Sequence, residues 1–322
     1  MAEAKKESFF KSDRFRMFIG KYGIGVVLVI MMVFISITQP QFLTPRNLIS
    51  VATQISINGL LCYGLTIAIL TMGIDLSVGA QLALTSVIIA KLIQNGVPGI
   101  LAIIVGVGVA TGFGLVMGVL IAKFNMFAFV VTLAMQLVIR GLAQVVSGGK
   151  AIAITDQFYK SIYITKIIGI PVPIIIFIVV TLAMYFMLHW TKLGRYMFAV
   201  GGNANAAIAS GISKDNTLIS VYVISGFLAG LAAVIYSSKV QSGQSNFGVA
   251  YETDAIAASV LGGTSFAGGI ATIPGCVLGI FIIGFIYNGM NMIGVSSYLQ
   301  TIVKGAVIIG AVMLDMIMSR KK

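Results

Sequence analysis

The sequence predicts an all-α polytopic membrane protein of about ten transmembrane helices, with broken or re-entrant segments and one short cytoplasmic helix. Three observations predict it. Hydrophobic residues make up 58% of the 322 and charged residues only 9%, against about 25% charged in soluble chains, so lipid rather than water is the main solvent. Apolar runs that approach or exceed the roughly 20 residues of one crossing recur along the whole chain. The basic residues gather at the ends and in loops rather than in one stripe interleaved with aromatics, so the net charge of +12 argues for membrane topology and against nucleic acid.

The chain opens with a basic segment, 1–19, holding Lys5, Lys6, Lys11, Arg14 and Arg16, and Lys21 follows closely. It closes with a basic tail, 319–322, holding Arg320, Lys321 and Lys322. The positive-inside rule puts both termini in the cytoplasm, with the basic arm along the anionic leaflet. Between them, 20–318 reads as a single transmembrane domain. Its first run, 22–38, is too long for a signal peptide and lacks a small-residue cleavage site at Ile35-Ser36-Ile37-Thr38, so it reads as an uncleaved helix.

Further spans read at 51–71, 76–92, 100–122, 127–146, 171–190, 218–236, 273–290 and 298–315. That makes nine with the first, and two cytoplasmic termini require an even number. The hidden crossing falls at 255–269, AIAASVLGGTSFAGG, where Gly262, Gly263, Gly268 and Gly269 break the helix. Free peptide groups in lipid cost several kcal/mol each, so such a segment is buried in protein or lines a watery cavity. A second break, Gly73-Ile74-Asp75-Leu76-Ser77-Val78-Gly79, matches 263–269 as G-x-[DS]-[LF]-[SA]-x-G, which hints at an internal duplication.

The longest cytoplasmic segment, 191–217, bears Lys192, Arg195 and Lys214 against Asp215. Within it Asn203 is a helix cap, alanines follow, and Gly211 is a stop, so 203–211 is predicted to be a short helix. The glycines at 106, 112, 114 and 118 are spaced for close helix packing.

Five blocks in order carry a family resemblance: 58–66 (NGLLCYGLT), 70–79 (LTMGIDLSVG), 193–212 (LGRYMFAVGGNANAAIASGI), 251–269 (YETDAIAASVLGGTSFAGG) and 288–300 (NGMNMIGVSSYLQ). Together they resemble the permease subunits of ribose-type simple-sugar ABC importers over nearly the whole chain. The resemblance implies a ten-helix permease working as a homodimer, with a cytoplasmic ABC ATPase subunit and an extracytoplasmic sugar-binding protein. It also implies that the helix at 203–211 is the coupling helix, with Gly201, Gly202, Asn203, Ala206, Ala207, Ser210 and Gly211 facing the ATPase. Ala204 stands where many relatives carry an acid, which leaves the docking surface less acidic, and Ile270-Ala271-Thr272 departs from a further glycine.

ATP and magnesium belong on the partner subunit. No G-x-x-x-x-G-K-[ST] loop occurs: Gly149-Lys150 is followed by Ala151, and position 144 is Gln144. One histidine, His189, sits beside Trp190 as an interfacial anchor, and the 16 methionines come without a cysteine or histidine cluster, so neither a metal nor a catalytic residue is expected. Cys62 and Cys276 read as small hydrophobes.

A neutral sugar is held by hydrogen-bonding groups, so Asn58, Thr264, Ser265, Asn288 and Asn291 are the pathway candidates, each with helix-packing glue as its alternative role. Asp75 joins them as an ionisable group near membrane depth, and it equally suits a helix start, where an acid favours the dipole by about 0.3–1 kcal/mol. Arg140 and Lys304, within apolar spans, are available to pair with Glu252 and Asp254. An ion-coupled secondary transporter is the alternative class; it would use a midplane carboxylate, for which Asp75 is the candidate.

Overall fold

The computed structural model describes residues 28–30 and 32–319. The basic segment 1–19, the start of the 22–38 run and positions 320–322 lie outside the described residues. The helices are α1 (Leu28–Thr38), α2 (Pro45–Leu70), α3 (Val78–Gln94), α4 (Gly99–Lys123), α5 (Ala128–Ser147), α6 (Gln157–Ile164), α7 (Val172–Trp190), α8 (Lys192–Gly202), α9 (Ala204–Ala209), α10 (Lys214–Val240), α11 (Tyr251–Leu261), α12 (Ile273–Met292) and α13 (Ser297–Ser319). Six of them, α2, α4, α5, α7, α10 and α12, are long and apolar enough to cross a membrane. The chain is an all-α polytopic membrane protein.

Burial sorts these helices. The central helix is α2, nearly enclosed, with α10, α11, α12 and α7 packed around it. By contrast α4, α5 and α7 turn Ile104, Val105, Leu137, Val138, Val179 and Leu182 outward. Such apolar faces are stable only against lipid tails or another apolar surface.

Helices α4 and α10 share the most extensive contact among the described helices. A Cβ added at Gly114 would strike the Tyr222 carbonyl oxygen, and one at Gly226 the Ala110 carbonyl oxygen. One at Gly118 would lie 2.8 Å from Ile219 Cα. These glycines let two backbones touch, which is how helices associate where lipid removes the hydrophobic drive. Gly106 packs on Ile89, whereas Gly112 has open space. Gly114→Ala is therefore expected to destabilise the fold by about 1–3 kcal/mol through overpacking, while Gly112→Ala leaves stability unchanged or raises it by up to about 1 kcal/mol. Thermal inactivation rates of the two variants in detergent check the contrast.

The segment 255–269 is broken at its glycines, as expected: α11 ends at Leu261, before the Gly262-Gly263 pair, and 262–272 is a folded loop. One sequence expectation is corrected. The 191–217 segment contains two helices, not one. Ahead of α9, Thr191 Oγ1 caps α8 by accepting from Gly194 N at 3.2 Å.

The bundle has two ends. At one, Lys123 Nζ donates to Asp215 Oδ2 at 3.0 Å, joining the end of α4 to the start of α10 beside α8 and α9. At the other, Ile152–Ala153 bridges Ser242–Gly243 antiparallel, and α6 lies against the end of α10. There the Tyr159 hydroxyl sits 2.6 Å from Ser237 Oγ, and burial pushes its phenol well above the ordinary value.

Candidate functional site

Both broken segments leave their helices in the same way. At the end of α2, Met72 takes a left-handed conformation (φ 61°), Met72 N donates to Ile69 O, and Gly73 N reaches back to Ala68 O at 2.8 Å. At the end of α11, Gly263 is left-handed (φ 85°), Gly263 N donates to Val260 O, and Thr264 N reaches back to Ser259 O at 3.1 Å. Each is a helix stop in which the amide two residues past the cap satisfies a free carbonyl. The structural equivalence pairs Met72 with Gly263, one residue out of step with the sequence match of Gly73 to Gly263.

The two loops meet each other and the junction of α8 with α9. Gly269 N donates to Leu70 O at 2.9 Å, tying the second loop to the last turn of α2. Gly201 lies against the same bond: a Cβ there would strike the Leu70 carbonyl oxygen and lie 2.9 Å from Gly269 N. Gly268 and Gly269 are left-handed (φ 80° and 71°), and their faces lie against Gly201 and Gly202 backbone. Three backbone segments thus touch, with the Met72 side chain also against Gly268. Only glycine permits both the φ values and the approach.

From this junction α9 projects outward. Asn203 Oδ1 accepts from Ala206 N at 3.0 Å as the cap, and Ile212 N donates to Ala207 O at 3.0 Å around a left-handed Gly211 (φ 80°) as the stop. Gly202, Asn203, Ala206, Ser210 and Gly211 are exposed, while Gly201 and Ala207 are buried. The exposed set forms a small-residue knob, with Ile208 as its apolar tip. Beside it a crevice of about 270 Å³ runs between Met72, Phe127, Ala204, Lys214 and Tyr222.

Asp75 is wholly buried in the first loop. Its Oδ1 accepts from Ser77 N at 3.0 Å and Ser77 Oγ at 2.6 Å, and its Oδ2 accepts from Ser225 Oγ at 2.7 Å. Gln81 Nε2 extends the network to Ser77 Oγ at 2.8 Å. The carboxylate pins the loop to α10 and to the start of α3. Ser265 organises the second loop: its N donates to Ile270 O at 3.0 Å, and its Oγ accepts from Ala267 N at 3.3 Å. Thr264 Oγ1 is buried with no hydrogen-bond partner among the described residues.

The remaining predicted polar residues lie away from the junction. Asn288 exchanges two 2.9 Å amide hydrogen bonds with Asn47, joining α12 to the start of α2, and Asn291 Oδ1 accepts from Gln300 at 2.8 Å. Asn58 lines a cleft with Gln54, Asp254 and Tyr287. Lys304 Nζ pairs with Asp254 Oδ1 at 2.6 Å. Arg140 is satisfied otherwise than by ion pairing in contact: its Nη1 donates to the Ser245 and Phe247 carbonyls at 2.7 and 2.6 Å. Glu252 accepts instead from Gln136 at 3.3 Å. Cys62 and Cys276, read separately as hydrophobes, face each other, with Thr66 Oγ1 also 2.9 Å from Ser259 Oγ. Asn47, Gln136 and Gln300 went unread, since a polar residue's partner in a distant span leaves no mark on its own neighbourhood.

No group of three or more His, Cys, Asp or Glu that could hold a metal occurs among the described residues. Residues 47–312 match the family model described as branched-chain amino acid transport system / permease component. The chain is similar to the ribose import permease protein RbsC of Bacillus subtilis, 43% identical over 92% of each chain. It is 41% identical to RbsC of Escherichia coli strain K12, over 90% of this chain and 92% of that one. The D-allose transport system permease protein AlsC of the same strain is 38% identical over 96% of each. No solved structure matches. With a match across both broken loops, the junction between them and α9, this chain belongs to the branched-chain amino acid transport system / permease component family.

Proposed function

We propose that this chain is the permease subunit of an ATP-binding cassette importer and carries a simple sugar, ribose, across the inner membrane. The observation that carries the reading is the junction of the two broken loops with α8 and α9. It is a rigid backbone contact between membrane-depth segments and an exposed helix, placed where an external motor could push. Similarity to ribose permeases along more than nine-tenths of the chain supports the sugar.

In this reading the α8/α9 end is cytoplasmic, both termini lie on that side, and ten crossings result when α11 with its loop is counted as one. The knob of Gly202, Asn203, Ala206, Ser210 and Gly211 docks on an ABC ATPase subunit, which holds ATP and magnesium; Gly201 and Ala207 hold the knob in place. A second copy of the chain completes the pathway, and an extracytoplasmic binding protein delivers the sugar. Rocking of packed bodies about a fixed site is the usual form of alternating access. The buried Asp75, which accepts three hydrogen bonds, acts in this reading as a structural anchor rather than an ion-coupling site. Affinity purification from the native membrane is expected to bring an ATPase subunit with the chain, and a protonophore at constant ATP is expected to leave sugar uptake intact. Uptake that collapses with the proton gradient would contradict the reading.

A further inference from the structure

The enclosed helix α2 carries a polar ladder that the junction does not use. At every fourth position stand Arg46, Ser50, Gln54, Asn58, Cys62 and Thr66. A four-residue step turns about 40° past a full circle, so the ladder winds around the helix as it descends. Burial follows the winding: Arg46, Ser50 and Gln54 are exposed, Asn58 is half-buried, and Cys62 and Thr66 are enclosed. The ladder therefore leads from the open end of the bundle into the seam between α2, α11 and α12.

Where it turns inward, Gln54, Asn58, Asp254 and Tyr287 line one cleft of about 10 Å³, room for a single water-sized group. Asp254 Oδ1 is taken by Tyr287 Oη at 2.8 Å and Lys304 Nζ at 2.6 Å. Its Oδ2 has no partner among the described residues, and neither does the amide of Gln54 or Asn58. Unpaired amides one turn apart on a membrane-crossing helix would each cost several kcal/mol against lipid. Polar side chains at that depth face water or a bundle interior. An acceptor carboxylate, two amides that donate and accept, and a tyrosine ring suit a polyhydroxylated, uncharged ring.

We propose that Gln54, Asn58, Asp254 and Tyr287 form a hydroxyl-binding station for the sugar within the bilayer, with Lys304 as the positioning residue that orients Asp254. The ring rests on the exposed first part of α2, at Ser50 and Gln54, and places one hydroxyl in the cleft. The assignment rests on the sugar-permease reading, and two measurements separate the failure of one from the failure of the other.

The first is independent of any sugar. In the reconstituted complex with both native cysteines replaced by serine, Gln54→Cys and Asn58→Cys are expected to react with a small, charged, membrane-impermeant methanethiosulfonate added from outside. If both resist it, this face is covered by lipid or by a second copy of the chain, and the station is overturned. The second compares sugars. Asn58→Ala is expected to lower ribose uptake about tenfold, the worth of one hydrogen bond, and to abolish the preference for ribose over one monodeoxy-ribose. An equal fall for every sugar, or no fall, overturns the station. If the parent complex itself carries no ribose, the sugar assignment has failed, and the thiol result alone decides whether this face is aqueous.

Discussion

Gly201→Ala is expected to cost at least about tenfold in sugar transport while the ATPase subunit remains bound. The added methyl would strike the Leu70 carbonyl oxygen and crowd the amide that donates to it, Gly269 N. Both neighbours are main chain, so neither can rotate away, and overpacking of this kind costs about 1–3 kcal/mol. That energy falls on the contact proposed to pass motion from α9 to the broken loops, whereas the exposed α9 surface is untouched. Gly112→Ala, on α4 and outside the docking knob, serves as the control, because a Cβ there meets nothing. Uptake per ATP hydrolysed, measured for the two variants side by side, is expected to separate them. Equal ratios would show that the Gly201 contact transmits nothing. Gly211, the obvious target from sequence, has open space around it and a φ of 80°. A bulky residue there strains the stop of α9 by about 1–2 kcal/mol and, unlike Gly201→Ala, changes the surface proposed to dock.

Asp75→Ala is expected to be the most destabilising single polar change, at about 3 kcal/mol or more. The carboxylate accepts from Ser77 N, Ser77 Oγ and Ser225 Oγ. Removing it leaves three donors unsatisfied in an enclosed site, at about 1–3 kcal/mol for each group left unpaired. The loop would lose its tie to α10, and purified protein is expected to inactivate faster on heating in detergent. Ser225→Ala leaves one acceptor, Asp75 Oδ2, unpaired instead of three donors, and should cost less. An Asp75→Ala protein as heat-resistant as the parent, with altered pH dependence of uptake, would instead mark Asp75 as a proton or ion site.

Much of the fold was legible in the sequence because lipid imposes a simple code of long apolar runs. The spans at 100–122, 127–146, 171–190 and 273–290 correspond closely to α4, α5, α7 and α12. The caps of α9 were legible too, since Asn203 and Gly211 act through their own backbone neighbourhood. What escaped depends on distant partners. Helix α8, Lys192–Gly202, is short and ends in two glycines, which reads as a loop until the Leu70 and Gly269 backbones are seen against Gly201. The internal match slipped by one residue because Met72, a side chain that rarely goes left-handed, does at the end of α2 what Gly263 does at the end of α11. Arg140 suggested an acidic partner, but two backbone carbonyls took its place. Asn288 is indistinguishable from a sugar ligand in sequence; only the fold brings Asn47 to its amide.

The most direct test of the central claim is uptake of labelled ribose into proteoliposomes holding this chain, its co-purified ATPase and the candidate binding protein, with ATP on the ATPase side and each component omitted in turn. The account predicts uptake only when all three proteins and ATP are present. Uptake by this chain alone, driven by an ion gradient, would contradict it.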